Sequence, residues 1–328
     1  MSLPEIKYCP GTLSEGFDTY SKTALNRIFY GKKVSHILPY YSPSYNIESD
    51  ELFNENRKRI SISGVQEKLS VLIDKNKIRL IKEGEHGTHI LKPIPSIGKK
   101  RDQIPANEHL TMQIARQVYG IECAENALIF FKDGVPAYIT KRFDIKEDGS
   151  KLAQEDFASL ANRTPQTHGE YFKYFGNYLE IFELMQKYIT TYKLEAPKLL
   201  KILIFNYLFS NGDAHFKNFS IIETSFGDFK LSPAYDLLNS RIHIEDKEFA
   251  LEDGLLPRGL TQGKIGQQFE MLAEKAEIDK KSYQKIFSLM TSKCEFVEKM
   301  VAASFLNDTN KRGYLQMYQR RLKQIIKC

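Results

Sequence analysis

The stretch Ala196–Phe209, "APKLLKILIFNYLF", is apolar on nearly every face of a helix. Such a helix needs cover on all sides, so the chain must wrap other elements around it. With 328 residues there is enough chain to bury a substantial core in two or three subdomains. The pattern before this helix is different. Residues 1–55 are rich in Tyr, Ser and Pro, with one helix expected at "SKTALNRIFYG" and a loop at "PYYSPSYN", and read as an appendage. Residues 56–144 alternate as short strands, "RISIS", "KLSVLID", "KIRLIK", "THILKPI", "ALIFF" and "PAYITKRFD", separated by turn signals such as "KDG". One helix interrupts them, "PANEHLTMQIARQVYG", with Pro105 near its start, Leu110, Ile114 and Val118 on one face, and Gly120 as its stop. Residues 145–328 are mainly helical. "EYFKYFGNYLEIFELMQKYI" repeats Phe172, Phe175, Leu179, Phe182 and Met185 at helical spacing, and a small β island stands at "FSII" and "FKLSPAYD". The expected fold class is α+β: a β-rich lobe with one helix, then a helical lobe, joined near "TKRFD" in the layout of a two-lobed protein kinase.

Composition excludes several classes. An apolar fraction of 42% with 27% charged residues does not describe a disordered or fibrous chain. The amino terminus "MSLPEIKYCPGTLSEGF" lacks the charged start and apolar run of a secretory signal, and no membrane-spanning run is present, so a cytoplasmic protein is expected. Cys9, Cys123, Cys294 and Cys328 are scattered without a C-x-x-C pair, which supports neither a zinc site nor a disulfide framework. The net charge is +6, and the basic run "NKRGYLQMYQRRLKQIIKC" reads as the solvated face of a terminal helix.

Chemistry concentrates where the apolar helix ends. In "NYLFSNGDAHFKNFSII", an Asn-Gly turn presents Asp213, His215, Lys217 and Asn218 within six residues and then enters a strand. An Asp that accepts a hydroxyl proton, followed five residues later by an Asn that holds a magnesium ion, is the arrangement phosphoryl transfer uses, and Asp213 and Asn218 have this D-x-x-x-x-N spacing. Asp236, in "FKLSPAYDLL", lies 18 positions after Asn218 and offers a second hard oxygen ligand. Singly, each of these is also an ordinary turn or cap residue.

A nucleotide site needs a cation for the phosphates. Lys92 closes the apolar strand "THILKPI", and Glu108 in the next helix is a candidate to pair with it, although a carboxylate near a helix start is also favoured by the dipole. Before Lys92, "SISGVQEK" offers a tight turn at Gly64 between two strands, where backbone N–H groups can converge on phosphate. It has one glycine where G-x-G-x-x-G has three, so Ser63 and Lys68 are candidates to supply side-chain contacts instead.

Taken in order, "SISGVQEKLS", "THILKP", "NEHLTMQIARQVYGI", "KRFD", "QEDFASL", "NGDAHFKNFSI" and "LSPAYDLL" resemble the HipA family of serine/threonine kinases, the toxins of bacterial toxin-antitoxin operons. The resemblance covers residues 58–328. It implies a two-lobed kinase-like fold and transfer of phosphate from Mg-ATP to a protein serine or threonine, with aminoacyl-tRNA synthetases as targets whose modification halts translation and growth. By motif match, Asp213 is the catalytic base, assisted by Lys217 and Asn218, and Asn218 and Asp236 hold the metal. The nucleotide contacts fall to Ser63, Gly64, Val65, Gln66, Glu67, Lys68 and Lys92 in the first lobe, and to the hinge trio Lys141, Arg142 and Phe143. His215, Phe216, Lys217, Asn218, Tyr235 and Asp236 complete them. The family more often has Glu where Lys141 stands, a change that a backbone-mediated hinge contact tolerates.

The family autophosphorylates a serine in its phosphate loop, at the position of Ser61. A phosphate there adds nearly two negative charges beside the triphosphate and disfavours ATP. Here Ser61 and Ser63 form a pair, which is similar to HipT, the short form of the family. Full-length members carry a further subdomain of about a hundred residues before the loop. In three-gene systems that piece is a separate small protein, HipS, encoded with the DNA-binding HipB. A HipS-like and a HipB-like partner are therefore expected, with DNA met only through the latter. Two alternatives stand beside this reading: a small-molecule phosphotransferase, whose G-D-x-x-x-x-N turn "NGDAHFKN" also fits, and a non-catalytic module that joins an antitoxin on DNA.

Overall fold

The structure is a computed structural model that describes residues 5–43, 67–96, 98–146, 148–245 and 247–327. The chain divides into two units. The first comprises Met1–Gln113, Ala124–Ser150 and Lys299–Lys311; the second comprises Ile114–Cys123, Lys151–Glu298 and Arg312–Cys328.

The first unit is organised by a five-stranded sheet: β1 Leu69–Asp74, β2 Lys77–Leu80, β3 His89–Lys92, β4 Asn126–Phe130 and β5 Pro136–Lys141. Their order is β2-β1-β3-β5-β4, and every neighbouring pair is antiparallel. The register of the β1–β2 hairpin is set by a two-residue turn that pairs Asp74 with Lys77, with Lys75 at φ 55 as such tight turns require. All five residues of β4 are buried because it is not left as an open edge. Leu38 N–H donates to Phe130 O at 2.7 Å, Phe130 N–H to His36 O at 2.8 Å, and Leu128 N–H to Pro10 O at 2.8 Å. Residues before 43 thus satisfy the outer backbone groups of β4, which would otherwise invite pairing with another chain.

The same segment fills the core. Its helix Lys22–Phe29 begins at the Ser21 N-cap, whose hydroxyl accepts from Ala24 N–H at 3.2 Å, and ends at Tyr30 in the left-handed region. Ala24, Ile28, Phe29, Val34 and Leu38 are buried in one cluster with Leu69, Val71, Leu91, Ala127, Ile129 and Ile139. The segment expected as an appendage therefore shares its hydrophobic core with the sheet.

In the second unit the helix Tyr192–Leu208 is buried from Leu199 onward, with Leu199, Leu200, Ile204, Phe205 and Leu208 fully inside. It packs against Leu179–Tyr188, Lys280–Thr291 and the strand Phe229–Leu231. The β island has three antiparallel strands, β6 Gln154–Asp156, β7 Ser220–Glu223 and β8 Phe229–Leu231, in the order β6-β7-β8. The strand β6 opens the motif "QEDFASL".

One expectation is corrected. The helical spacing from Phe172 to Met185 does not form one helix: a 3₁₀ turn covers Phe172–Tyr174, Phe175 is extended, and the helix starts only at Leu179. The break is steric and conformational. Gly176 sits at φ 83, where a Cβ would approach Glu180 Oε1 to 2.2 Å, and that same carboxylate oxygen accepts from Asn177 N–H at 3.0 Å and Asn177 Nδ2 at 2.9 Å. Among the described residues, no helix is long and apolar enough to cross a membrane.

Candidate functional site

After Leu208 the backbone leaves the central helix through Ser210, at φ 52, and makes the turn that carries the polar cluster. The turn is held from within. Asn211 N–H donates to Asn206 O at 2.9 Å and its Nδ2 to Asn206 Oδ1 at 3.0 Å, while Ser240 Oγ accepts from Gly212 N–H at 2.9 Å and donates to Ser210 O at 3.1 Å. A backbone fixed this way presents the next residues in one geometry.

The Asp213 side chain is 44% exposed. Its Oδ1 accepts the Tyr174 hydroxyl at 2.7 Å and lies 3.9 Å from His215 Nε2. His215 is buried, and that burial, reinforced by the positive charge of Lys173, pushes its pKa down to about 3. The imidazole is therefore neutral at ordinary pH. His215 N–H donates to Asn218 Oδ1 at 3.2 Å and to Asp213 O at 2.8 Å, which fixes the Asn218 amide against the turn.

Lys217 Nζ stands 3.4 Å from Asp156 Oδ2. Asp156 ends β6 and also caps the short helix Phe157–Leu160, accepting from Ser159 N–H at 2.9 Å. Phe216 is buried beneath the Arg163 guanidinium, 4.3 Å from its ring centroid. The Tyr235 hydroxyl donates to Lys217 O at 3.0 Å, and burial raises its pKa well beyond the ordinary phenol range, so it stays protonated. Asp236 follows in the left-handed region, φ 55, and its negative charge acts on both His215 and Tyr235. The backbone ahead of it is pinned by Ala234 N–H donating to Glu122 O at 2.8 Å.

The donor set suits a hard cation. Asn218 Oδ1 keeps a second lone pair after accepting the His215 N–H, and Asp236 supplies a carboxylate. Two such oxygens match magnesium, which retains waters and phosphate oxygens for its other positions. Among the described residues, no group of three or more His, Cys, Asp or Glu forms a metal-binding cluster of the kind a structural zinc site needs.

In the first unit, Lys92 closes β3 and its Nζ lies 2.6 Å from Glu108 Oε1, on the helix Ile104–Gln117. Both side chains are almost sealed from solvent, at 3% and 2% exposure, and the ammonium also stands 5.2 Å from the Tyr138 ring centroid. Lys141 ends β5 with its Nζ 3.7 Å from the Tyr30 ring centroid. Arg142 grips Asp144 with two bonds, 3.0 and 2.6 Å, and its N–H donates to Thr88 O at 2.9 Å. Phe143 follows, half-buried. Glu67 and Lys68 lead into β1. Ser61, Ser63, Gly64, Val65 and Gln66 lie outside the described residues.

The second unit thus gathers Asp213, His215, Phe216, Lys217, Asn218, Tyr235 and Asp236 around one turn, and the first unit holds Lys92 on β3 and the Lys141–Phe143 run at the end of the neighbouring β5. Three contributors escaped the sequence reading: Tyr174, Asp156 and Ser240. Asp156 stood in the motif "QEDFASL", whose order along the chain was the only signal available.

The profile of the HipA-like C-terminal domain matches residues 60–299. A Haemophilus influenzae protein named "Putative kinase" is 25% identical over 342 residues, spanning 98% of this chain and 97% of its own. The serine/threonine-protein kinase toxin HipA of Shewanella oneidensis is 25% identical over 224 residues, 63% of this chain and 50% of its own, so the chain spans half the length of that toxin. Among solved structures, the Shewanella oneidensis HipA complex with HipB and operator DNA superposes with a TM-score of 0.59 at 19% identity, over 80% of this chain and 63% of that one. The Helicobacter pylori proinflammatory kinase CtkA gives 0.53 at 16% identity, over 78% of this chain and 93% of its own. At these identities the two structures establish a shared fold.

Proposed function

The chain belongs to the HipA-like C-terminal domain family, and from that premise we propose that it is a Mg-ATP-dependent serine/threonine protein kinase of the toxin kind. The observation that carries this reading is the turn Asp213–Asn218: a half-open carboxylate five residues before an amide held in place by a backbone N–H, at the end of a buried helix. The kinase names of its relatives and the shared fold support it.

In the proposed step, Asp213 accepts the hydrogen bond of a substrate hydroxyl and takes its proton. The hydroxyl oxygen bonds to the γ-phosphorus of ATP, the bond from that phosphorus to the β–γ bridging oxygen breaks, and ADP leaves. Lys217, braced by Asp156, supplies positive charge beside the transferring group. Lys92, held by Glu108, contacts the α- and β-phosphates as its counterpart does in kinases. Asn218 and Asp236 would hold magnesium, which when bound would neutralise phosphate charge. Because burial keeps His215 unprotonated, it does not neutralise the Asp213 carboxylate as an ion pair.

The protein substrate is proposed to be an aminoacyl-tRNA synthetase, with Ser61 and Ser63 as sites of self-modification. A HipT-like subtype, with HipS-like and HipB-like partners, rests on that serine pair. The test is transfer of labelled γ-phosphate in the presence of magnesium. Wild-type protein is expected to label itself at Ser61 or Ser63 and a protein in a bacterial lysate, and Asp213→Asn to slow this by about 10³-fold. Tight Mg-ATP binding with no label in any protein, or label only on a small alcohol or aminoglycoside, would overturn the protein-kinase reading.

A further inference from the structure

Tyr174 reaches the candidate catalytic carboxylate from the end of a short 3₁₀ turn that the chain pins on its following side. On one side the Tyr174 carbonyl accepts from Glu252 N–H at 3.0 Å, and the next carbonyl, Phe175 O, accepts from Arg163 Nη1 at 2.6 Å. On the other, Gly176 O accepts from Asp253 N–H at 3.0 Å, and Asn177 and Glu180 lock the start of the following helix. The ring of Tyr174 stands edge-on to His215, with centroids 5.1 Å apart and planes at 80°. Its hydroxyl then meets Asp213 Oδ1 at 2.7 Å. The interruption of the helical pattern at Gly176 therefore has a use: it lets an aromatic residue 39 positions upstream be delivered to the turn at a fixed angle.

We propose that Tyr174 is a positioning residue for phosphoryl transfer, acting through Asp213; this rests on the kinase reading above. A carboxylate 44% exposed, turning about a broad two-fold torsion, would sample many planes. A charge-assisted bond from a phenol anchored at both ends fixes one oxygen and with it the plane in which the other meets the substrate hydroxyl. The buried His215 ring packs edge-on against the phenol ring and holds it in place. The gain is geometric, and losing such alignment costs rate more than binding.

The experiment compares wild type, Tyr174→Phe, Asp213→Asn and the double variant, following labelled phosphate transfer, Mg-ATP affinity and thermal unfolding. Tyr174→Phe keeps the ring against His215 and removes only the hydroxyl. Its kcat is expected to fall about tenfold, with the KM for ATP within about twofold of wild type and Tm unchanged. In the Asp213→Asn background the same change is expected to cost nothing further. An unchanged or raised kcat in Tyr174→Phe, an equal loss in both backgrounds, or a loss that follows Tm and ATP affinity would overturn the proposal while the kinase reading stands. Wild-type protein that transfers no phosphate would overturn the kinase reading, and this role with it.

Discussion

The two units treat charge in opposite ways. In the first, Lys92 and Glu108 are sealed together at 2.6 Å, each side chain under 4% exposed. In the second, Asp213 is 44% exposed and Lys217 and Asp156 stand 31% and 22% exposed. The first unit has stripped water from its pair, so each ion depends on the other for the solvation it has lost. The second keeps water on one side of its cluster, so its groups can change partners during a reaction. One unit uses charge to hold a lysine still, and the other keeps charge available.

The sharpest way to break that contrast is to remove one charge from each unit. Glu108→Leu removes the carboxylate that faces the buried Lys92 ammonium and is expected to cost about 3–5 kcal/mol in urea unfolding. The double variant Lys92→Met, Glu108→Leu replaces both ions with apolar groups and is expected to regain most of that stability while phosphate transfer stays lost. Asp213→Asn, by contrast, is expected to keep Tm within about 2 °C of wild type, because a half-exposed carboxylate is still hydrated. A Glu108→Leu protein that unfolds at the wild-type urea concentration would show that the pair's burial carries no energetic weight.

A smaller effect appears in both units through histidine. Burial pushes His89 and His109 of the first unit down to about 4 and about 3, and His215 of the second down to about 3. Each is neutral when folded and near 6.5 when unfolded, so between those values the unfolded chain binds more protons. Stability is then full above about pH 6.5 and falls as the pH drops toward 4. At pH 5.5 each of these groups is expected to cost about 1.4 kcal/mol relative to pH 8, read from urea midpoints at the two pH values. His89→Gln should make that dependence shallower, because the amide can still donate to Ile28 O, the partner His89 Nε2 reaches at 2.8 Å, without titrating. A midpoint that does not move between pH 8 and 5.5 would contradict the neutral state of all three.

What could be read in advance follows the range of the interactions. The strands β1 to β5, the buried helix Tyr192–Leu208 and the polar turn were legible because alternation, all-round apolarity and an Asn-Gly signal are local properties of the sequence. The core role of residues 9–38 was not, because Pro10 bonds Leu128 and Leu38 bonds Phe130 across about a hundred residues of chain. Nor was the Tyr174 contact, since Phe172, Phe175 and Leu179 have convincing helical spacing and only the left-handed turn at Gly176 breaks it. The Lys92–Glu108 pair lies between. Its partners were named from kinase chemistry, but helix-start favourability explained Glu108 equally well until its complete burial was seen.

The smallest prediction asks whether burial, rather than membership of a unit, makes the difference. Arg79 on β2 grips Glu85 with two bonds of 2.7 Å and reaches Asp74 at 3.2 Å, a better fork than Lys92 offers Glu108. The bond from Arg79 holds the Glu85 carboxyl down to about 2, below its unfolded value, so what the pair contributes is present above about pH 4.5 and lost as the pH falls toward 2. Yet both side chains keep water on one side, at 25% and 31% exposure, and competing hydration and salt screen the attraction. Arg79→Gln at pH 7 is therefore expected to leave Tm within about 1 °C of wild type, and added salt to shrink even that difference. If Arg79→Gln lowered stability as far as Glu108→Leu does, geometry would outweigh desolvation within the same sheet, and the contrast between sealed and open charge would have to be rewritten as one between well-made and poorly made pairs.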